Sequence, residues 1–384
     1  MIFMVILILL NLILARLMKK KIAIITDIGF QKKEFDKFFI KRLSEEFEVY
    51  IFDFTKITNP KLNEIVKKKQ LKLNNFHEVE NFEDFKKNFL FNKFLTTIHH
   101  VSNYELILKL NDFFRINSFS LTVIQNHYVL QVEKNILKKF LNIFFTFLDI
   151  KRLMGKLRYL KFKKKNIFFA NNIFVCGLKG LNDNMIGPES NIIKCHSREY
   201  DLHLNSYFHK ENSLINEKYS VFLDQYLPFH TDGTIFKRFN PKVTKEKYFP
   251  ALNNFFSNFE KYSNTKVVIA SHPKSNYEDA KEDYWHGRSY YYDKTYELIK
   301  NASYVLCHQS SALSYAVILE KPIIFLTSNE YIKSYDSFTV HGYSRYFQQP
   351  LFNIDTFNKQ ALDNNLKKIN KDINKKYFND YIKY

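Results

Sequence analysis

Between Lys266 and Ser328 the chain makes three short apolar runs bounded by polar clusters, and that pattern admits few folds. Val267–Ala270 stops at Ser271-His272-Pro273, Tyr304–Cys307 stops at His308-Gln309-Ser310-Ser311, and Ile323–Leu326 follows Lys321-Pro322. Helical segments lie between them, one around Thr295–Asn301 and a small-residue one running to Leu319. Apolar runs this short, alternating with helices, predict strands buried on both faces, hence a parallel sheet in a doubly wound α/β domain. Such sheets bind ligands at the carboxyl ends of their strands. His272-Pro273 and Ser310-Ser311 each follow a strand end, so both are expected to line one crevice.

The residue types indicate what that crevice takes. Ser310-Ser311 opens a helix, where hydroxyls and unpaired backbone N–H groups favour an anion, most commonly phosphate. His272, in a loop fixed by Pro273, can donate a hydrogen bond to a phosphate oxygen or protonate a leaving group. Either cluster alone reads as a serine cap or an ordinary loop histidine. Together, at the ends of sequential strands, they point to a phosphate-bearing donor.

An HP dipeptide followed by a Ser-Ser helix start resembles the donor half of GT-B glycosyltransferases that use CMP-activated acidic sugars, as in bacterial sialyltransferases and polysialyltransferases. The longer string FLDQYLPFHTD…YFPALNNFF…KVVIASHPKSNYE…GRSYYYDKT resembles surface-carbohydrate biosynthesis proteins of the same kind. The likeness covers roughly residues 190–330. It implies an α/β chain with two Rossmann-like lobes facing a cleft, and His272 and Ser310-Ser311 on the CMP phosphate. It implies a metal-independent transferase moving a sialic acid-like nonulosonic acid or Kdo onto a glycan or lipid-linked glycan of capsule or lipopolysaccharide. The chain departs from those enzymes in one respect: they carry their base in an acidic pair followed by glycine within the first domain. Here the nearest match, Thr231-Asp232-Gly233, lies in the second. A CDP-glycerol-type polyol-phosphate transferase, a UDP-sugar 2-epimerase-like enzyme and a catalytically inactive membrane-bound assembly factor remain open.

At 384 residues the chain exceeds one ordinary core, so two domains are expected. The division reads as an apolar extension over 1–17, an acceptor-side Rossmann-like domain over 18–212, a donor domain over 213–345, and closing helices over 346–384. In the first domain Ile22–Thr26, a helix around Glu34–Glu46 and Glu48–Phe52 form a β-α-β unit. Residues 60–115 read as mainly helical. Leu121–Gln125, Ile167–Val175 and Asn191–Cys195 are further strands, and Tyr219–Leu223 opens the second domain.

Candidate site residues follow from these strand ends. Asp224, His272 and Asp232 form the candidate catalytic set, since Asp224, His230 and Asp232 lie in one loop just past Tyr219–Leu223. Gln225, His272, Pro273, Lys274, Arg288, Ser310 and Ser311 are the candidate donor and phosphate ligands, with Arg288 and Lys274 suited to a phosphate or sugar carboxylate. Asp27, His127 and His230 are candidates for the acceptor side, against a plainer reading of Asp27 as a turn residue and His127 as structural. No cofactor and no metal motif are indicated.

Charge and cysteines set the surroundings. Lys and Arg total 58 against 39 Asp and Glu, and the resulting +19 implies an anionic partner. Residues 151–165 hold eight Lys or Arg and no acid, with Ile150, Leu153, Leu157 and Leu160 at helical spacing. This is the pattern of a basic amphipathic helix on an anionic membrane, or of a solvated basic face. No RNA- or DNA-binding motif accompanies it, so nucleic acid is not an expected partner. Residues 1–17 fall short of the roughly 20 apolar residues of a membrane span and lack a signal peptide's basic start and cleavage site. They read as an over-extended gene start or as a membrane-anchoring segment ahead of Lys19–Lys21. Cys176, Cys195 and Cys307, odd in number and set in apolar runs, are expected to be buried free thiols of a cytoplasmic protein held at the inner face of the plasma membrane.

Overall fold

The computed structural model describes residues 19–67, 73–117, 121–124, 170–179, 188–206, 213–230, 243–334, 337–356 and 370–383, with a few single residues between them. It divides into two compact units whose described parts meet at His196–Ser197. Each is built on a parallel sheet.

The first unit holds β1 (Lys20–Thr26), β2 (Phe47–Asp53), β3 (Phe76–Glu78), β4 (Thr96–His100), β5 (Leu121–Ile124), β6 (Asn172–Cys176) and β7 (Asn191–Cys195), arranged β3-β2-β1-β4-β5-β6-β7. β1 is central and pairs in parallel with β2 and β4. Successive residues of β1 point to opposite faces. Ala23 and Ile25 pack with Phe85, Phe89, Leu110 and Phe114 from helices Phe82–Asn92 and Tyr104–Asn117. Ile24 packs on the other face with Phe38 and Ile40. Both faces are thus covered, as the unbroken apolar run Ile22–Ile25 requires.

The second unit holds β8 (Tyr219–Leu223), β9 (Lys266–Ala270), β10 (Tyr290–Tyr291), β11 (Val305–Cys307), β12 (Ile323–Thr327) and β13 (Leu351–Asn353). Their order is β10-β9-β8-β11-β12-β13. Counted from its own first strand, the first sheet runs 3-2-1-4-5-6-7 and the second 3-2-1-4-5-6, the doubly wound order whose direction reverses between strands 1 and 4. A single core joins Phe222, Leu252, Phe256, Ile269, Leu306 and Phe325.

Several expectations need correction. The stretch 60–115 is mainly helical, as expected, with three helices, but it also contains two strands, β3 and β4. The short runs FHE and TTIHH carry histidines and too few apolar residues to be distinguished from loop. The helix expected over 34–46 is two, Lys32–Lys37 and Ile40–Glu46, broken by Phe39 at φ 51. β10 and β13 were likewise hidden in polar, aromatic sequence. The units divide ahead of helix Arg198–Ser206, earlier than the polar stretch around 212 indicates. That helix packs on helix Leu313–Ile318 of the second unit, and the Ser197 N–H donates to the Ile382 carbonyl at 2.7 Å. The three cysteines are free and buried, as expected. Residues 1–17, His127, the basic stretch 151–165 and Asp232 lie outside the described residues.

Candidate functional site

Asp224 follows the last residue of β8, the central strand of the second sheet, and is almost wholly buried. Its Oδ1 accepts from the Tyr226 N–H at 2.8 Å, and its Oδ2 accepts from the His272 N–H at 3.2 Å and the Tyr277 hydroxyl at 3.0 Å. Burial pushes its pKa up to about 6, against the pull of these donors. The sequence made Asp224 a candidate acid or base. With its oxygens committed to three donors, it is placed instead to fix the loop that carries His272.

That loop is tight. The Ser275 N–H and hydroxyl both donate to the His272 carbonyl, at 2.9 and 2.7 Å. The His272 Nδ1 accepts from the Lys274 N–H at 3.2 Å, which puts the proton of the neutral imidazole on Nε2. Pro273 and Lys274 are exposed. His230 meets His272 edge to face with ring centroids 4.8 Å apart, so the two histidines come together on one side of β8. Tyr226 lies parallel to His272, with centroids 6.5 Å apart, and its hydroxyl donates to Asn276 Oδ1 at 3.0 Å. Its φ of 54° is a left-handed conformation that a bulky side chain pays strain to adopt. Neither Tyr226 nor Tyr277 stands out in the sequence, because a loop tyrosine in so tyrosine-rich a chain carries no pattern.

The serine cluster lies elsewhere than expected. β9 and β11 flank β8 on opposite sides, so His272 and Ser310-Ser311 are two strand spacings apart, roughly 10 Å. They are not on neighbouring strands. Ser310 Oγ accepts from the Ala312 N–H at 3.1 Å, Ser311 is exposed, and the helix that follows is only Leu313–Ile318. His308, in the same cluster, belongs to the core: it is fully buried between the Tyr248 hydroxyl and the Leu326 carbonyl, each at 2.8 Å. Burial lowers its pKa to about 4, so it stays neutral.

Arg288 is withdrawn from the donor set. Its Nε and Nη2 grip both carboxylate oxygens of Glu260 at 2.9 and 2.8 Å, Nη2 also reaches Ser257 Oγ, and Nη1 reaches Asn253 Oδ1 and the Trp285 carbonyl. All five guanidinium protons are engaged. The charge clasps helix Lys245–Ser263 to the following loop.

The carboxyl edge of the sheet nonetheless carries several buried polar atoms without a partner among the described residues. Buried Gln225 Oε1, Ser271 Oγ, Gln309 Oε1 and Thr327 Oγ1 have no hydrogen-bond partner within the described protein. They stand at the ends of β8, β9, β11 and β12, four adjacent strands. Buried polar atoms in folded proteins are otherwise nearly always paired. Among the described residues, no three His, Cys, Asp or Glu side chains converge as metal ligands.

The first unit treats the same position differently. Asp27, after β1, accepts from the Ser102 and Asn103 N–H groups at 2.8 and 2.6 Å and from the Ser102 hydroxyl at 3.3 Å. Those donors belong to the loop after β4, so the carboxylate bridges the reversal point between strands 1 and 4. Burial raises its pKa. Asp27 is placed as a loop anchor, in keeping with the plainer reading of it as a turn residue.

No protein-family model matches the chain, and no curated protein matches it in sequence. Solved structures do. A candidate UDP-N-acetylglucosamine 2-epimerase of Listeria monocytogenes superposes with a TM-score of 0.50 at 10% identity, covering 96% of this chain and 93% of its own. The UDP-GlcNAc 2-epimerase of Methanocaldococcus jannaschii gives 0.49 at 12%, over 93% and 98%. The glycotransferase of kitacinnamycin gives 0.49 at 8%, over 94% of each chain. Identities this low speak to fold alone. The fold is the two-sheet α/β architecture of the GT-B class.

Proposed function

We propose that the chain is a nucleotide-sugar enzyme that binds its donor at the carboxyl edge of the second sheet, and that it is a glycosyltransferase using a CMP-linked acidic sugar. The observation that carries this reading is the row of buried oxygens without a hydrogen-bond partner among the described residues, which runs across β9, β8, β11 and β12, with His272 after β9 and Ser310-Ser311 after β11. With roughly 10 Å between them, the two flanks suit an extended nucleotide: His272 takes the phosphate, and Ser310-Ser311 with Gln309 takes another part of the donor. The HP and Ser-Ser resemblance narrows the donor to CMP-activated nonulosonic acid or Kdo.

In the transfer an acceptor hydroxyl oxygen bonds to the anomeric carbon as the bond from that carbon to the phosphate oxygen breaks. CMP departs with the bonding pair. The His272 Nε2 proton stabilises the oxygen that gains charge, and Lys274 adds a mobile positive charge. The acceptor proton needs a carboxylate, for which Asp232 is the sequence's nearest offer. The acceptor is a glycan or lipid-linked glycan at the inner face of the membrane.

The test is a panel of CMP-sugars, CDP-glycerol and UDP-GlcNAc offered to the purified protein, with nucleotide release and sugar conversion followed separately. CMP release that falls with His272→Ala supports the reading. CDP-glycerol turnover moves the protein to polyol-phosphate transfer. Conversion of UDP-GlcNAc without nucleotide release favours the epimerase alternative, which the Listeria and Methanocaldococcus neighbours keep in play. No nucleotide binding at all would overturn the class.

A further inference from the structure

We propose that the edge of the first sheet where its strands begin docks onto an anionic lipid bilayer, with Leu90 and Phe91 entering the lipid. The observation is an apolar pair that the fold leaves out. Helix Phe82–Asn92 buries Phe85 and Phe89 on its inner face, yet Phe91 is 85% exposed and Leu90 46%. No core contact accounts for a phenylalanine that bare.

Lysines surround this pair. Lys87 stands one turn before Phe91 on the same helix face and is exposed, and exposed Lys93 ends the helix at φ 49. The Lys21 ammonium donates to Asn92 Oδ1 at 2.9 Å, and the Leu95 N–H donates to the Lys21 carbonyl at 2.8 Å. Those two bonds fix the start of β1 beside the end of this helix. Lys19 and Lys20 therefore belong to the same edge, Lys19 reaching the Ser44 carbonyl at the end of helix Ile40–Glu46. Of the nearby acids, Glu45 is bridged by Arg42, Glu83 by Lys86, and Glu48, opposite Lys21 on β2, accepts from the Tyr50 hydroxyl and the Asn75 amide; Glu46 is exposed and opposes the lysines.

An aromatic anchor and a ring of lysines on one side fit a bilayer carrying negative headgroups, where each lysine near the surface adds attraction. A bilayer at this edge lies opposite the carboxyl ends of the strands. Among the described residues no helix is long and apolar enough to cross the membrane, so the contact is one of surface insertion.

Full-length protein carrying Phe91→Trp provides the direct test, because the sole native tryptophan, Trp285, is buried and gives a constant background. With phosphatidylglycerol-containing vesicles the difference emission should shift to the blue and resist acrylamide. With pure phosphatidylcholine it should not. Phe91→Glu and Lys87→Glu/Lys93→Glu should each lower co-sedimentation about tenfold without changing Tm. Three results would overturn the proposal: no vesicle binding by the wild type, wild-type binding by Phe91→Glu, or emission already blue-shifted without vesicles. The last would mean that residues 1–17 or a second copy cover Phe91.

Discussion

Asp27 and Asp224 occupy one position in two copies of the same topology, and they turn in opposite directions. Each follows the first strand of a sheet that begins 3-2-1-4-5-6, and each is buried. Asp27 bonds the loop after strand 4 and so spans the reversal point of its sheet. Asp224 bonds the loop after strand 2, where it accepts from the His272 N–H and the Tyr277 hydroxyl. In the second unit the strand-4 side keeps Gln309 Oε1 buried and unpartnered. The two carboxylates differ in their choice of neighbour: Asp27 ties the strand-4 loop across the reversal point of its sheet, whereas Asp224 does not bond the strand-4 loop of its own.

The most direct way to break this comparison is to neutralise both carboxylates in turn. Asn keeps the shape but sets an NH2 against a backbone N–H, so Asp27→Asn and Asp224→Asn should each cost about 3 kcal/mol, a fall in Tm of roughly 6–12 °C. Only Asp224→Asn should also weaken CMP binding, by at least about fivefold, as the His272 loop relaxes. Equal losses of CMP affinity in both variants, measured by calorimetry below their Tm values, would end the distinction.

Arg288 sharpens the point within the second unit. Arg288→Ala strands the half-buried Glu260 carboxylate and should cost about 2–3 kcal/mol, read as a lowered denaturant midpoint. CMP affinity should stay within about twofold of wild type, since the guanidinium faces the fold and not the ligand edge. A tenfold loss of affinity at unchanged midpoint would restore Arg288 to the site.

How much of this was legible beforehand depends on the kind of signal. The runs KVVIA, YVLC and IIFL named their strands, because strands buried on both faces must be continuously apolar. FHE, YY and LFN were too short and mixed to do so. Sequence placed His272 and Ser310 at strand ends correctly, yet it could not order those strands: chain order runs β8, β9, β11, whereas spatial order sets β8 between the other two. Arg288 shows the converse failure. An arginine near an expected phosphate looks like a ligand until Glu260, twenty-eight positions away, is seen to fill its fork.

That spatial order yields a sharper prediction for the donor. Hydrogen bonds to a charged group contribute about 1.5–3 kcal/mol, so His272→Ala should lower CMP-donor use roughly tenfold to a hundredfold. Ser310→Ala/Ser311→Ala should cost less, about threefold to tenfold in donor affinity, because Ser310 is partly committed to its own turn. Groups a strand apart that meet different parts of one donor act independently. The triple variant should then show the product of the two effects. A triple variant no worse than His272→Ala alone would mean that both clusters hold a single phosphate.

Glu199 marks the limit of the comparison, a carboxyl as buried as Asp27 and Asp224 but without their donors. Its Oε2 has no hydrogen-bond partner among the described residues, Asp201 adds repulsion, and Tyr315 and Tyr377 pack close by, while Ser197 and Arg198 offset part of the burial. Burial raises its pKa to about 7, above the ordinary glutamate value of 4.5. The folded state therefore keeps a proton that the unfolded chain releases. The stability this group contributes is full below about pH 4.5 and is lost as pH rises through 7. Glu199→Gln, which stays neutral, should match wild type at pH 4. It should gain about 1–2 kcal/mol at pH 8, roughly 2–6 °C in Tm. An equal gain at both pH values would show that packing, and not the proton, sets the difference.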